Sequence, residues 1–387
     1  MHALPQVSDL KIRLSWARDG NQSFGNYLYA TNFLLSNPQA QVAFGNTYIP
    51  TYRPSAVDPN IRWEQTSAWN AGLDYGLFNQ RITGSIDVYK KSTNGLINFV
   101  PIDPATNLSN YIWTNVGSMD NKGVEFALSA LILKSGPHTI GWTADFTAAH
   151  NANVVTQVTP WGGAAAYVPT GGIQGGVGST IEIIKSGLPL NSYWVCKQWY
   201  DPTTHKPVEG TFYSNVQNAA GDSTFTVLPG NSCDTRGLRA EHNPAPDWIL
   251  GHTSYLTYGN FDLSFTLRAS LGNWVYNNVS SAYGFYSQLT RGRPYNLSTN
   301  VLKTGFVNAQ YLSDIYLEDA SFLRMDNISL GYNFTYQGMK LRLFGTVQNV
   351  FTITGYSGVD PTSGVNGIDN NTYPRSRIVT GGLTVRF

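Results

Sequence analysis

Phe261-Asp262-Leu263-Ser264-Phe265-Thr266-Leu267-Arg268-Ala269-Ser270 alternates without a break between apolar and polar side chains. A two-residue period belongs to an extended strand, whose successive side chains point to opposite faces. At about ten residues, the stretch has the length a tilted strand needs to cross a bilayer. Arg81–Tyr89 repeats the pattern, with Ile82, Gly84, Ile86 and Val88 on one parity and Thr83, Ser85, Asp87 and Tyr89 on the other. At the C-terminus, Val379, Gly381, Leu383, Val385 and Phe387 share one face. Leu10–Trp16, Trp69–Leu77, Val124–Ala130, Trp142–Ala148, Leu250–Tyr258, Ile328–Phe334 and Leu341–Val347 bring the total to about ten candidate membrane strands.

The connections alternate between short and long. Asn79-Gln80, Ser135-Gly136-Pro137, Gly259-Asn260 and Tyr336-Gln337-Gly338 are tight turns, built from residue types that tolerate turn geometry. Between them lie Gly/Asn/Pro-rich stretches at 20–62, 94–110, 159–245, 278–320 and 355–374. Outer-membrane barrels have short periplasmic turns and long external loops. Counting back from a periplasmic C-terminus puts every tight turn on the periplasmic side. Within the longest loop, 190–201 and 208–214 are expected to add hairpin structure.

Charge separates a barrel from its soluble alternative, a β-sandwich. Only 13% of the 387 residues are charged, too few for an ordinary water-facing surface. Lys11, Arg13, Asp74, Asp87, Glu125, Asp145, Asp262, Arg268, Arg342 and Arg386 all keep to the polar parity of their strands. The rest of that parity is mostly Ser, Thr, Gly, Asn and Tyr, as in a barrel lumen. Arg324 and Asp326 break the rule, sharing the parity of Ile328 and Leu330 near the outer end of a strand. No apolar run reaches the length of a spanning helix. The net charge of +1 argues against a nucleic-acid partner.

Chemistry-bearing motifs are absent. The six histidines have no metal-ligand spacing, and Thr170–Gly178 lacks the ending of a phosphate loop, so it is expected to be a flexible loop. Carboxylates are scattered singly, without a nucleophile elbow, so no enzyme and no cofactor is expected. Cys196 and Cys233 either pair within one surface loop or remain free thiols. Trp194, Trp199 and Tyr200 cluster in one loop, and Tyr283, Phe285, Tyr286 and Tyr295 in another. Such rings stack on sugar or peptide substrates, or they pack loops together and line the membrane interface. Trp194, Trp199, Tyr200, Tyr283 and Tyr286 are the substrate-contact candidates.

Ordered stretches along nearly the whole chain carry a family resemblance. They include Leu10–Trp16, Asp58-Pro59-Asn60-Ile61-Arg62-Trp63-Glu64, Asn70–Phe78, Asn115–Glu125, Asp319–Tyr332, Gln348-Asn349-Val350-Phe351 and Gly358-Val359-Asp360-Pro361. The chain resembles the C-terminal half of the barrel of SusC/RagA-like, TonB-linked outer-membrane transporters of Bacteroidetes. That resemblance implies an all-β, transmembrane antiparallel barrel, with residues 1–387 as the C-terminal part of a 22-stranded TonB-dependent receptor barrel. It implies a multi-pass protein of the Gram-negative cell outer membrane that imports oligosaccharides or peptides. The implied partners are outer-membrane lipid, a SusD-like lipoprotein lid, the TonB–ExbBD machinery and the barrel-assembly machinery.

Phe387, with Val385 and Leu383, resembles the terminal signal read by that assembly machinery, and an interfacial anchor explains the same aromatic. The signal sequence, plug domain and TonB box of the family have no counterpart here, so a fragment is expected. On its own it is expected to aggregate, because half a barrel leaves strand edges unpaired. Residues 230–236 depart from the family's Asp/Asn/Gly-rich stretch before the Pro-x-Pro turn, so no calcium-binding expectation is carried over. The alternatives are a TonB-dependent receptor for iron chelates or cobalamin, and a soluble secreted β-rich binding protein.

Overall fold

The computed structural model describes residues 6–35, 41–102, 109, 111–136, 138–158, 167–173, 175–176, 178–217, 223–228, 233, 237–290, 296–364 and 366–386. Ten long strands carry the fold: β1 (Val7–Asn21), β2 (Glu64–Leu77), β3 (Ile82–Asn94), β4 (Ser118–Leu133) and β5 (Gly141–Gln157). The second half is β6 (Trp248–Tyr258), β7 (Phe261–Leu271), β8 (Phe322–Tyr336), β9 (Met339–Thr354) and β10 (Ile378–Arg386). They pair in sequence order as one antiparallel ten-stranded meander. β1 and β10 are its outermost strands among the described residues. Among the described residues no second sheet covers its apolar face, as a sandwich would require. All ten expected strands are present. Phe387 lies outside the described residues.

Register puts the polar parities on one face. Arg13 faces Gly72, which faces Asp87, which faces Glu125 across the next ladder. The other face is apolar and largely uncovered: Ile12 is 73% exposed and Leu14 79%. A patch of that extent on a folded chain is stable only against lipid or a partner. Trp16 and Trp69 pair 6.3 Å apart near the loop end, and Phe261 and Tyr332 pair 4.9 Å apart near the turn end. Leu383 and Val385 sit on the apolar face, opposite Leu343 and Leu341. No described helix is long and apolar enough to cross a membrane.

The tight turns all fall at one end. At Gln337-Gly338 both central residues have positive φ (49° and 80°), which twists the hairpin to match its right-handed strands. Pro137 lies outside the described residues. The strands overrun the expected segments at their other end, β5 by nine residues past Ala148. There they leave the alternating region and enter the loops.

The buried core lies in those loops, not in the sheet. Tyr167–Gly172, Thr180–Lys185, Ser192–Cys196 and Leu238–Glu241 make a four-stranded sheet. Ile181, Tyr193 and Val195 from this sheet pack with Tyr276, Tyr316 and Ile368 from two other loops. Tyr193 ties them further, its hydroxyl lying 2.9 Å from the Trp274 and Gly367 carbonyls. The result is an ordered cap at the loop end. The expected hairpin structure is present where Gln198–Tyr200 pairs with Pro207–Gln217, while 192–196 pairs instead with 180–185 and 238–241. The cap corrects the reading of the Gly-rich stretch, whose Thr170–Gly172 portion is strand.

Candidate functional site

The polar face is organised by arginines that reach across a glycine to a carboxylate. Arg13 binds Asp74 through two nitrogens (2.8 and 2.9 Å) and reaches Asp87 at 3.0 Å. The path crosses Gly72, where a Cβ would lie 2.7 Å from the Arg13 guanidinium carbon and 2.5 Å from Asp87. Near the opposite edge, Arg342 passes over Gly331 to bind Asp262, which also accepts from Asn333. These bidentate, half-buried pairs hold charges in fixed places on a wall that would otherwise leave them single.

Arg324 and Asp326 break the parity rule because the strand itself is broken there. The β7–β8 register shifts between Thr266 and Leu267, and the β8–β9 register between Met325 and Asn327. This β-bulge leaves Asp326 as an extra residue relative to β7, and on β9 Asn349, whose φ is +52°, and Val350 drop out of the paired register beside it. Beyond it the parity of β8 inverts, so Arg324 stands directly opposite Arg268 on the polar face. Asp326 binds Arg268 at 3.1 and 3.2 Å. The expected lipid-parity charges are therefore polar-face charges, re-aimed by the bulge.

Arg324 is 97% buried, at 3% exposure. It donates to Thr352 and to Asp360, each at 2.9 Å, and Asp360 takes Arg375 at 3.0 Å from its other oxygen. Burial pushes the Asp360 carboxyl up, but Thr362 and Arg324 outweigh it and hold it below the ordinary carboxylate range. Asp360 thus pins the loop after β9 onto the polar face. Phe322 lies beside both arginines, 5.6 Å from the Arg268 guanidinium and 5.2 Å from that of Arg324.

A recess of about 180 Å³ opens at this point, between the wall and the returning loops. Arg268, Ser270 and Phe322 form its wall side; Trp274, Pro244, Pro246 and Thr362 its loop side. Trp274 is held flat against His242, ring centroids 3.5 Å apart. Burial lowers the His242 pKa against the opposing pull of Glu241 and Asp319, favouring a neutral imidazole there. A larger recess of about 480 Å³ lies at the turn end beside Asn260, Arg342 and Arg386. Only the smaller one is walled by two layers of structure.

The five aromatic candidates all fall in the cap, in separate places. Trp194 packs on Tyr167 (5.9 Å) with Lys185 over its ring (5.6 Å). Trp199 and Tyr200 lie on the Gln198–Tyr200 strand, with Tyr200 exposed. Tyr283 ends the helix Asn278–Tyr283, and the exposed Tyr286 opens the 3-10 turn Tyr286–Thr290. None of the five lines the recess. In the sequence Arg268 reads only as a charge of the polar parity, and Phe322 and Trp274 do not read as site residues, although the parity break at Arg324 and Asp326 marks their place.

Cys196 and Cys233 are joined, with Cα atoms 5.7 Å apart, which settles the open alternative in favour of pairing. Two of the histidines lie in strands of the wall. His150 and His252 stand in β5 and β6, contacting the Asp247 carbonyl and the Ser254 hydroxyl. Tyr295, and residues 230–236 other than Cys233, lie outside the described residues.

One further group stands out in the cap. Glu182 is 1% exposed, and neither carboxylate oxygen has a hydrogen-bond partner among the described residues. Burial raises its pKa to about 8.

A polar-lined, lipid-backed meander with short turns at one end and an ordered cap at the other is the wall of an outer-membrane β-barrel. The chain belongs to the TonB dependent receptor-like β-barrel family, whose model matches residues 6–350. It is accordingly a multi-pass protein of the outer membrane. Over 98% of its length it is 38% identical to the TonB-dependent receptor SusC of Bacteroides thetaiotaomicron, and 26% identical to a TonB-dependent receptor of Formosa agariphila. It spans 38% and 40% of those relatives. Its fold matches the structure of the RagAB peptide transporter, with a TM-score of 0.77 at 22% identity, over 98% of this chain and 41% of that one.

Proposed function

We propose that the chain forms the C-terminal portion of the wall and the outer loops of a TonB-dependent nutrient importer of the SusC type. The observation that carries this is the cap, in which three loops share one core and fold back over the polar face. Such a cap presents a fixed surface to arriving substrate, and to a lid lipoprotein of the SusD kind. Oligosaccharides or peptides are the cargo in this reading, supported by the relationship to SusC and by the fold shared with a peptide transporter. The plug and TonB box would come from other parts of the receptor, driven by TonB and ExbBD.

The proposed role of the chain is passage and selection, with no bond change. The aromatic candidates Trp194, Trp199, Tyr200, Tyr283 and Tyr286 are proposed as outer contacts for substrate. Leu383 and Val385, with Phe387, are proposed as the segment read during barrel assembly. The test is growth of a strain lacking the full-length receptor on glycan, on peptide, and under iron limitation. Loss on glycan or peptide, matched by loss of TonB, is expected. A defect confined to iron limitation would instead identify an iron-chelate receptor.

A further inference from the structure

We infer that the recess beside Arg268 is a subsite for one carboxylate-bearing sugar residue, a uronate unit of an incoming oligosaccharide. The inference rests on the transport reading above and narrows its substrate class.

The charge balance comes first. Three guanidiniums, Arg268, Arg324 and Arg375, meet two carboxylates, Asp326 and Asp360. Arg268 and Arg324 are also directly opposed across two strands, where like charges repel. Each arginine has a carboxylate partner, but the cluster as a whole carries one positive charge in excess. Arg268 is the accessible member: its Nε and Nη2 are committed to Asp326, while its side chain remains 39% exposed. Its Nη1 has no protein partner among the described residues. A carboxylate placed there would take charge-assisted hydrogen bonds from donors already fixed by the Asp326 pair.

The walls favour a sugar over a peptide. Phe322 and Trp274 offer aromatic surface, and the His242 stack fixes Trp274 in place before anything binds. Three prolines, Pro244, Pro246 and Pro361, line the recess. Proline has no N–H, so these segments cannot form the backbone ladder by which extended peptides are held. Thr362 and Ser363 add hydroxyl-bearing side chains on the loop side. At about 180 Å³ the recess suits a single ring.

The test is calorimetric titration of the purified full-length receptor with trigalacturonate, its methyl ester and triglutamate. Trigalacturonate is expected to bind, and esterification to weaken binding about tenfold or more, the loss expected for a charged hydrogen bond. Arg268→Gln should weaken trigalacturonate binding by a similar factor. Asp326→Asn should tighten it, because it removes the negative charge that repels an incoming carboxylate while its amide oxygen can still accept from Arg268 Nε. A merely structural defect would weaken binding in both variants, so weakening by Asp326→Asn overturns the proposal. Equal binding of acid and ester, tighter binding of triglutamate, or no binding of trigalacturonate overturns it as well. Binding needs no energy source, so a receptor that binds trigalacturonate but supports no TonB-linked growth would sink the transport reading and leave the subsite standing.

Discussion

Gly72 and Gly331 show how one residue sets the chemistry of a wall. Each occupies a strand position where a side chain would sit on the guanidinium passing over it. Gly72→Val should therefore expel Arg13 from Asp74 and Asp87 and leave partly buried carboxylates unpaired. The expected cost is about 1–3 kcal/mol, read as a lower temperature for loss of the compact, heat-modifiable form of the full-length receptor on gels. An unchanged transition would show that the crossing arginine contributes nothing.

Glu182 makes a second prediction at this scale. Its folded pKa of about 8 lies above its ordinary value of 4.5, so between those limits the folded cap binds more protons than the unfolded chain. Stability contributed by the protonated form is complete below the lower value and is lost as pH rises through about 8. Limited proteolysis of the cap should be faster at pH 8 than at pH 5.5 for that reason. Glu182→Gln should abolish the difference. If the variant keeps the same pH dependence, the buried carboxyl is not its source.

At the scale of elements, the cap depends on two long-range ties. The Cys196–Cys233 bond closes a span of 37 residues, worth about 3–4 kcal/mol in the chain-entropy picture. Reduction, or Cys233→Ser, should open that part of the cap to proteases while leaving the barrel's heat-modifiable migration intact. Loss of both together would mean that cap and wall fold as one unit. The loop after β9 is held differently, by Asp360 between Arg324 and Arg375. Asp360→Asn leaves Arg324 buried and underpaired, a loss of about 3 kcal/mol that should free the 355–377 segment to proteolysis.

Element by element, legibility followed periodicity. β7 could be read almost to its ends because every residue from Phe261 to Ser270 obeys the two-residue alternation. The outer ends of β3 and β5, at Lys90–Asn94 and Asn151–Gln157, could not, because beyond the bilayer nothing enforces an apolar parity. The cap was illegible for another reason. Tyr193, Tyr276, Tyr316 and Ile368 converge from three loops, and no local spacing announces such a core. The recess left one trace, the parity break at Arg324 and Asp326. A register shift, which only the pairing reveals, turns that trace into a recess on the polar face.

For the whole molecule, the controlling fact is an apolar face left exposed among the described residues. Leu10, Ile12, Leu14 and Trp16 stand exposed along β1, and Val379 and Leu383 along β10. Residues 1–387 produced alone in water should therefore aggregate, since lipid is missing from one face and strand partners from both edges. A monodisperse, detergent-free monomer would contradict a membrane wall. β8 allows the most direct measurement, because it tests the wall and its bulge together. Single cysteines placed along Phe322–Tyr336 of the full-length receptor, spin-labelled in bilayers, report whether each position meets lipid or water. Positions 323, 325, 328 and 330 should respond to oxygen dissolved in the lipid, 327 and 329 to a water-soluble nickel chelate, and the loop-covered 322 and 324 to neither, so that the lipid phase inverts at Asp326. Uniform water access on both parities, or an unbroken alternation through Asp326, would contradict the account.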